Sequence, residues 1–199
     1  MANKDIFDKM ANSYDSEDRL EVGSHIIREA QKHVAQLETK NTLIDFGCGT
    51  GEIGLNFIQD FNQVLFLDVS ENMLNVVEEK LAAAVIKNGK TMLIDEISNF
   101  RVEADCIIVS QVLLHIPDTE AVLTSLFHML KTEGSLLIVD FDKNELVQSA
   151  LVHNGFDQNK LADQLKKLGF SKVHSEIFFE RDQLFMGQAA SLFLMEAVK

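Results

Sequence analysis

The chain has 199 residues, of which 46% are hydrophobic and 25% charged; this balance is typical of a globular protein and argues against a disordered chain. The sequence contains no long uncharged apolar run and no signal-peptide core, so no membrane insertion is expected. A net charge of −13 repels phosphate groups, which disfavours nucleic-acid partners. The two cysteines, Cys48 and Cys106, are too few for a disulfide scaffold and favour a cytoplasmic location.

The N-terminal region predicts a helix over 16–37, because apolar residues recur on one side. These residues are Leu20, Ile27, Val34 and Leu37. No linker or repeat interrupts the chain, so we expect one domain over 1–199. Within it, 1–37 is expected to form an N-terminal helical cap over part of the site.

Short, nearly continuous apolar runs then alternate with helical patterns. The runs, at 43–46, 64–68, 91–94, 105–109 and 135–140, are typical of strands buried on both faces of a parallel sheet. Ser70 is a predicted N-cap of the second intervening helix, and a third helix is expected to begin near Asp118 and end at Gly134. The alternation predicts a doubly wound α/β sheet with helices on both faces.

The C-terminal region predicts one helix and two strands. The helical pattern LADQLKKLGF places Gly169 at the C-terminal cap. Segments 171–180 and 189–198 are predicted strands joined by a longer connection, which gives the sheet a hairpin-like end.

The glycine-rich loop DFGCGTG (45–51) follows the first predicted strand and precedes a helix. Glycines in this position allow a sharp turn and let the backbone approach a ligand closely. Residues 49–54 also match the dinucleotide pattern GxGxxG, with Asp68 at the end of the next strand. The spacing alone leaves a nicotinamide dinucleotide and another adenosine ligand both possible.

Three acidic residues, Asp45, Asp68 and Asp95, follow predicted strands. The carboxyl ends of parallel strands meet at one edge of the sheet, where ligands bind. Three carboxylates disfavour a pyrophosphate and favour a ligand that carries a sulfonium, an ammonium and an adenosine. These are the groups of S-adenosylmethionine.

Six segments of the chain carry motifs of this kind: FDKMANSYD near the start, then LIDFGCGTG, LDVSENML, LIDEIS, ADCIIVSQVLLHIPD and LKTEGSLLIVDF. These motifs resemble those of the class I S-adenosylmethionine-dependent methyltransferases. The resemblance is strongest to the small-molecule group that includes the ubiquinone-biosynthesis methyltransferases, and it covers residues 5–140 most clearly. It implies a Rossmann-like sheet of seven strands, mostly parallel, with the last strand antiparallel.

The resemblance also implies roles for individual residues. Asp45, Gly47 and Gly49 would surround the methionine part of the cofactor, and Asp68 would hold the ribose hydroxyls. The remaining implied cofactor residues are Cys48 in the loop, Val69 beside Asp68, Asp95 and Glu96 at the adenine, and Ser110 and Gln111 near the transferred methyl group.

No catalytic residue is identified from the sequence, but three candidates for the acceptor side are Tyr14, His115 and His153. Tyr14 lies in the lead-in motif and His153 follows the fifth strand. The family often carries two adjacent histidines before its proline. Here those two positions hold Leu114 and His115, which weakens the case for His115. No set of His, Cys or Asp has metal-ligand spacing, so no metal is expected.

The expected function is direct in-line methyl transfer from S-adenosylmethionine to a small-molecule acceptor. One alternative is a nicotinamide-dependent oxidoreductase, although the chain lacks a Tyr-x-x-x-Lys pair. The other is a non-catalytic protein that binds S-adenosylmethionine as a partner subunit.

Overall fold

The computed structural model describes residues 16–94 and 102–199. Its helices are α1 (Glu17–Val34), α2 (Glu52–Leu55), α3 (Glu71–Ala83), α4 (Thr119–Met129) and α5 (Gln158–Leu168), and a 3₁₀ helix spans Leu113–His115. Its strands are β1 (Thr42–Phe46), β2 (Gln63–Asp68), β3 (Gly89–Leu93), β4 (Ala104–Ser110), β5 (Leu130–Phe141), β6 (Ser171–Phe185) and β7 (Gln188–Val198). None of the helices in these two ranges is long and apolar enough to cross a membrane.

All seven strands form one sheet in the order β3-β2-β1-β4-β5-β7-β6. The first five strands run parallel, and β7 is antiparallel to both β5 and β6. This topology confirms the predicted doubly wound sheet with an antiparallel last strand. Because the strand order reverses direction between β1 and β4, a crevice opens there at the carboxyl ends of the strands.

Two apolar layers cover the sheet, because successive strand residues point to opposite faces. On β1, Leu43 packs under α1, α2 and α3, whereas Ile44 packs under α4 and α5. The same alternation on β2 and β4 explains why their sequences are continuously apolar. The helices therefore lie on both faces, as predicted.

Side chains and glycines define several helix ends. Ser70 accepts a hydrogen bond from the Met73 N–H at 3.1 Å and Asp118 accepts one from Ala121 at 3.1 Å, which confirms both predicted N-terminal caps. Gly169 closes α5 with a φ of 110°, in the left-handed region that glycine tolerates.

Two predicted boundaries are wrong. Helix α4 ends at Met129 and Gly134 lies inside β5, where a Cβ atom would stand 3.1 Å from the Ala104 carbonyl oxygen; this glycine permits close strand pairing rather than a helix cap. The connection between the last two strands is also short, because Met186 and Gly187 both adopt positive φ (51° and 77°) and form a two-residue hairpin turn.

The start of the sheet is held together by one buried carboxylate. Asp105 accepts hydrogen bonds from the Thr39 hydroxyl (2.8 Å), the N–H groups of Asn41 (3.0 Å) and Thr42 (2.7 Å), and the Lys131 ammonium (3.0 Å). Burial acts to raise the pKa of Asp105, but these donors outweigh it and lower the pKa below its usual value. The carboxylate thus joins the segment before β1 to β4 and β5.

Candidate functional site

The glycine loop is anchored to the end of β2 by its own backbone. The N–H groups of Gly47 and Cys48 donate to the Leu67 carbonyl at 2.7 and 3.0 Å, and the Gly51 N–H donates to the Cys48 carbonyl at 2.9 Å. Gly47 and Gly49 have φ values of 70° and 53°, which glycine adopts at little cost. A Cβ atom at Gly47 would overlap the side chain of Val112, so that glycine is required for packing as well as for conformation.

Asp68 connects the loop to the start of α3. One carboxylate oxygen accepts from the Gly49 N–H at 2.9 Å, and the other accepts from the Ser70 N–H at 2.9 Å. Asp68 thus joins the glycine loop to the N-terminal cap of α3. Val69 packs against the apolar layer under α4 and α5.

Asp45 is a buried acid at the mouth of the loop. Its Oδ2 accepts from the Gly54 N–H at 2.8 Å. Burial raises the pKa of Asp45 to about 7, and the nearby Asp68 charge acts in the same direction, while the Gly54 hydrogen bond opposes both. Because a cation in the cleft would favour the charged form, Asp45 is suited to a positively charged ligand.

A cleft at this edge of the sheet brings most of the predicted cofactor residues together. We call it the glycine-loop cleft, and it is lined by Asp45, Gly47, Cys48, Gly49, Ser110 and Gln111 among others. At the end of β4, Gln111 has a φ of 54° and donates its N–H to the Val139 carbonyl at 2.7 Å. Burial raises the pKa of the Cys48 thiol well above its usual value, which keeps it protonated and makes it a poor nucleophile.

Helices α1 and α2 complete the cleft with residues that sequence reasoning missed. Arg19, Gly23 and Ile26 of α1 and Glu52 of α2 also line it. A Cβ atom at Gly23 would overlap the Glu52 carboxylate, so this glycine lets the two helices approach closely. A glycine inside a predicted amphipathic helix was the available signal, since glycine there costs about 1 kcal/mol relative to alanine.

A second buried carboxylate, Asp140 near the end of β5, holds the 3₁₀ helix that follows β4. Asp140 accepts from the Phe141 N–H at 2.9 Å and the Leu114 N–H at 3.2 Å. Burial raises the pKa of Asp140 to about 7, although these backbone donors act to lower it. Asp140 therefore fixes the 3₁₀ helix against the end of β5, a role that the sequence did not reveal.

The two histidine candidates lie on either side of a small pocket. This side pocket is lined by Leu114, His115 and Pro117 together with 150–153. His153 is held by the backbone of the segment 114–116. Its main-chain N–H donates to the Leu114 carbonyl, and its ring Nε2 lies 2.8 Å from the Ile116 carbonyl oxygen. Because a carbonyl only accepts, the proton of His153 resides on Nε2.

His115 lies between the side pocket and the N-terminal helix. Burial lowers the pKa of His115, and the positive charge of Arg19 lowers it further, so its imidazole is neutral at pH 7. Arg19 lines the glycine-loop cleft and His115 lines the side pocket, so the charge of a residue in one cavity acts on a residue in the other. Tyr14, Asp95 and Glu96 lie outside the described residues.

Comparison with solved structures shows the same fold. A methyltransferase structure from Aquifex aeolicus, described as SAM-dependent, has a TM-score of 0.70 at 18% identity and covers 96% of this chain and 97% of that one. Phosphoethanolamine N-methyltransferase 2 of Haemonchus contortus, solved with S-adenosyl-L-methionine, has a TM-score of 0.71 at 17% identity, covering 87% of this chain and 52% of that one.

Comparison of sequences gives the family. The ubiquinone/menaquinone biosynthesis C-methyltransferase UbiE of a Marinomonas species is 29% identical over 162 residues, which cover 77% of this chain and 63% of that protein. The chain spans less than two thirds of the length of the first curated relatives it matches. The model of the ubiE/COQ5 methyltransferase family matches residues 2–162. The chain therefore belongs to the ubiE/COQ5 methyltransferase family.

Proposed function

We propose that this chain binds S-adenosylmethionine in the glycine-loop cleft and transfers its methyl group directly to a small-molecule acceptor. The observation that carries the proposal is the pair of buried carboxylates, Asp45 and Asp68, at the mouth of a left-handed glycine turn. The family and the ligand in the Haemonchus structure support it.

The chemistry of the two buried carboxylates fits this cofactor. A carboxylate such as Asp68 is the kind of group that would accept hydrogen bonds from ribose hydroxyls, and a neighbouring positive charge would favour the ionised form of Asp45. When bound, S-adenosylmethionine supplies an electrophilic methyl group on a sulfonium. Ser110 and Gln111, at the end of β4, would form the wall next to that group, while Asp95 and Glu96 would serve the adenine.

The loop backbone argues against a dinucleotide. A pyrophosphate binds through free N–H groups in such a turn. Here the N–H groups of Gly47 and Cys48 donate to Leu67, that of Gly49 to Asp68 and that of Gly51 to Cys48. The nicotinamide-dependent oxidoreductase is therefore disfavoured by hydrogen bonding as well as by charge.

The protein's own task in methyl transfer is to align the acceptor and exclude water. We propose that 1–37, including α1 and Tyr14, caps the cleft, and that the acceptor enters beside His115 and His153. Both histidines are candidates to accept a proton: the lowered pKa of His115 favours its neutral form, and on His153 the Nε2–H is bound to the Ile116 carbonyl, which leaves Nδ1 as the accepting nitrogen. The buried free thiols of Cys48 and Cys106 favour a cytoplasmic location for the protein.

Calorimetric titration of the chain with S-adenosylmethionine, S-adenosylhomocysteine and NADH tests the cofactor. We expect the first two to bind and NADH not to bind; tight binding of NADH alone would contradict the proposal. Transfer of a labelled methyl group to a panel of quinone-precursor, amine and phenol acceptors then separates an enzyme from the alternative, a non-catalytic S-adenosylmethionine-binding partner.

A further inference from the structure

A cluster of titratable side chains lies where α1 crosses the terminal hairpin, and none of its members lines the glycine-loop cleft. Glu29 and His33 stand one turn apart on α1, Glu176 projects from β6, and Glu196 from β7. Ile26 is the last residue of α1 that lines the cleft, and His33 follows it by seven residues, which is roughly 10 Å at 1.5 Å per residue. The cluster is therefore separate from the proposed methyl-transfer site.

Two atoms of this cluster are buried and have no hydrogen-bond partner among the described residues. They are Oε1 of Glu29 and Nε2 of His33, and the side chains that carry them are only 7% and 9% exposed. A buried polar atom without a partner costs about 1–3 kcal/mol. A bound ion or group beside these side chains would satisfy both atoms.

The geometry fits a metal ion. Single ligand atoms from Glu29, His33 and Glu176 all lie within 4.8 Å of one another, and His33 Nε2 is 3.8 Å from the nearer Glu176 oxygen. Three ligands bound at about 2 Å to one tetrahedral ion lie about 3.3 Å apart. Glu176 is 48% exposed, so its side chain has room to move towards His33.

The other nitrogen of His33 has the partner that a metal-bound histidine usually has. Nδ1 lies 3.0 Å from the Glu196 carboxylate. This contact fixes the orientation of the ring, so that Nε2 lies on the side of Glu176, 3.8 Å from its nearer carboxylate oxygen.

We propose that Glu29, His33 and Glu176 bind one divalent transition-metal ion, for which Zn²⁺ is the appropriate probe, with Glu196 as the positioning carboxylate. One imidazole and two carboxylates favour zinc over Mg²⁺ or Ca²⁺, which prefer oxygen ligands only. The ion would tie the helix that lines the glycine-loop cleft to the C-terminal hairpin. The sequence spacing predicted no metal, because Glu176 is distant in the chain from the Glu29/His33 pair.

The test is zinc binding by the untagged, chelator-treated full chain. After incubation with excess Zn²⁺ and gel filtration, elemental analysis is expected to give one zinc per chain, and calorimetry on the metal-free chain is expected to show Zn²⁺ binding and no Mg²⁺ binding. Glu176→Gln is expected to weaken Zn²⁺ binding by at least about 100-fold, since loss of an outer partner alone typically costs 10–100-fold. The matched control is Glu180→Gln, an exposed acid on the same strand, which should bind zinc like the wild type.

Two results would overturn the proposal. One is a folded wild type that takes up no stoichiometric zinc. The other is a Glu176→Gln or His33→Gln variant, folded by circular dichroism, whose zinc affinity equals that of the wild type. Neither result depends on methyl transfer.

Discussion

At the scale of single residues, Asp45 and Asp140 have similar pKa values but different surroundings. Burial raises the pKa of each to about 7. The native state therefore holds two protons that the unfolded state releases between about pH 4 and pH 7, so the contribution of these groups to stability falls as the pH rises through that window. Asp140 serves the 3₁₀ helix, whereas Asp45 faces the cleft.

We expect the affinity for S-adenosylmethionine to rise with pH because of Asp45. A cationic ligand prefers the ionised carboxylate, so binding should strengthen on the order of tenfold between pH 5.5 and pH 7. Asp45→Asn retains an acceptor for Gly54 and should show weaker binding with a flat profile. Calorimetry at each pH measures the effect, and an equally steep profile in Asp45→Asn would exclude Asp45 as its source.

Asp68→Ala should weaken binding of S-adenosylhomocysteine by about 2–3 kcal/mol, because the proposed hydrogen bonds from the ribose hydroxyls to a charged group would be lost. This corresponds to a Kd increase of about 30- to 150-fold. Asp60→Ala, an exposed acid between α2 and β2, is the control. An unchanged Kd in a folded Asp68→Ala variant would refute the ribose assignment.

At the scale of elements, the strands are aligned at their starts by Asp105 and at their ends by the loop hydrogen bonds. Asp105 aligns the strand starts because four hydrogen-bond donors converge on its buried carboxylate. The site at the carboxyl edge depends on this distant alignment, because β1 and β4 must keep their register for Asp45 and Ser110 to line one cleft.

Asp105→Ala should lower the free energy of unfolding by about 3–5 kcal/mol, the cost of breaking a buried ion pair and leaving its donors unpaired. The folded pKa of Asp105 is lowered, so its contribution is present above the unfolded pKa near 4 and is lost as the pH falls through the folded pKa. Urea unfolding at pH 7 measures the loss. The exposed neighbour Glu103 provides the control, since Glu103→Ala should change stability by less than about 0.5 kcal/mol.

At the scale of the whole molecule, the cleft is formed by parts that are distant in sequence. Helix α1 contributes Arg19 and Gly23, the loop contributes Asp45, and the end of β4 contributes Gln111. Ligand binding should therefore stabilise the fold as a whole rather than one loop.

We expect S-adenosylhomocysteine at 100 times its Kd to raise the free energy of unfolding by about 2.7 kcal/mol through mass action. Hydrogen exchange should slow in the first turns of α1, at Arg19 and Gly23, more than in α5, whose exposed face lies away from the cleft. Stabilisation without any change of exchange in α1 would contradict the proposed cap.

The sequence by itself determined the alternation of buried strands and helices, the glycine loop and its acids, because these depend on local periodicity and on backbone freedom. It predicted a shared site for Asp45, Gly47, Gly49, Ser110 and Gln111, and the structure brings these residues together in one cleft. Only the tertiary structure decided the contributions of Arg19, Asp140 and the Glu29/His33/Glu176 cluster. Their surroundings depend on burial and on contacts between elements far apart in the chain, and a sequence pattern carries no record of either.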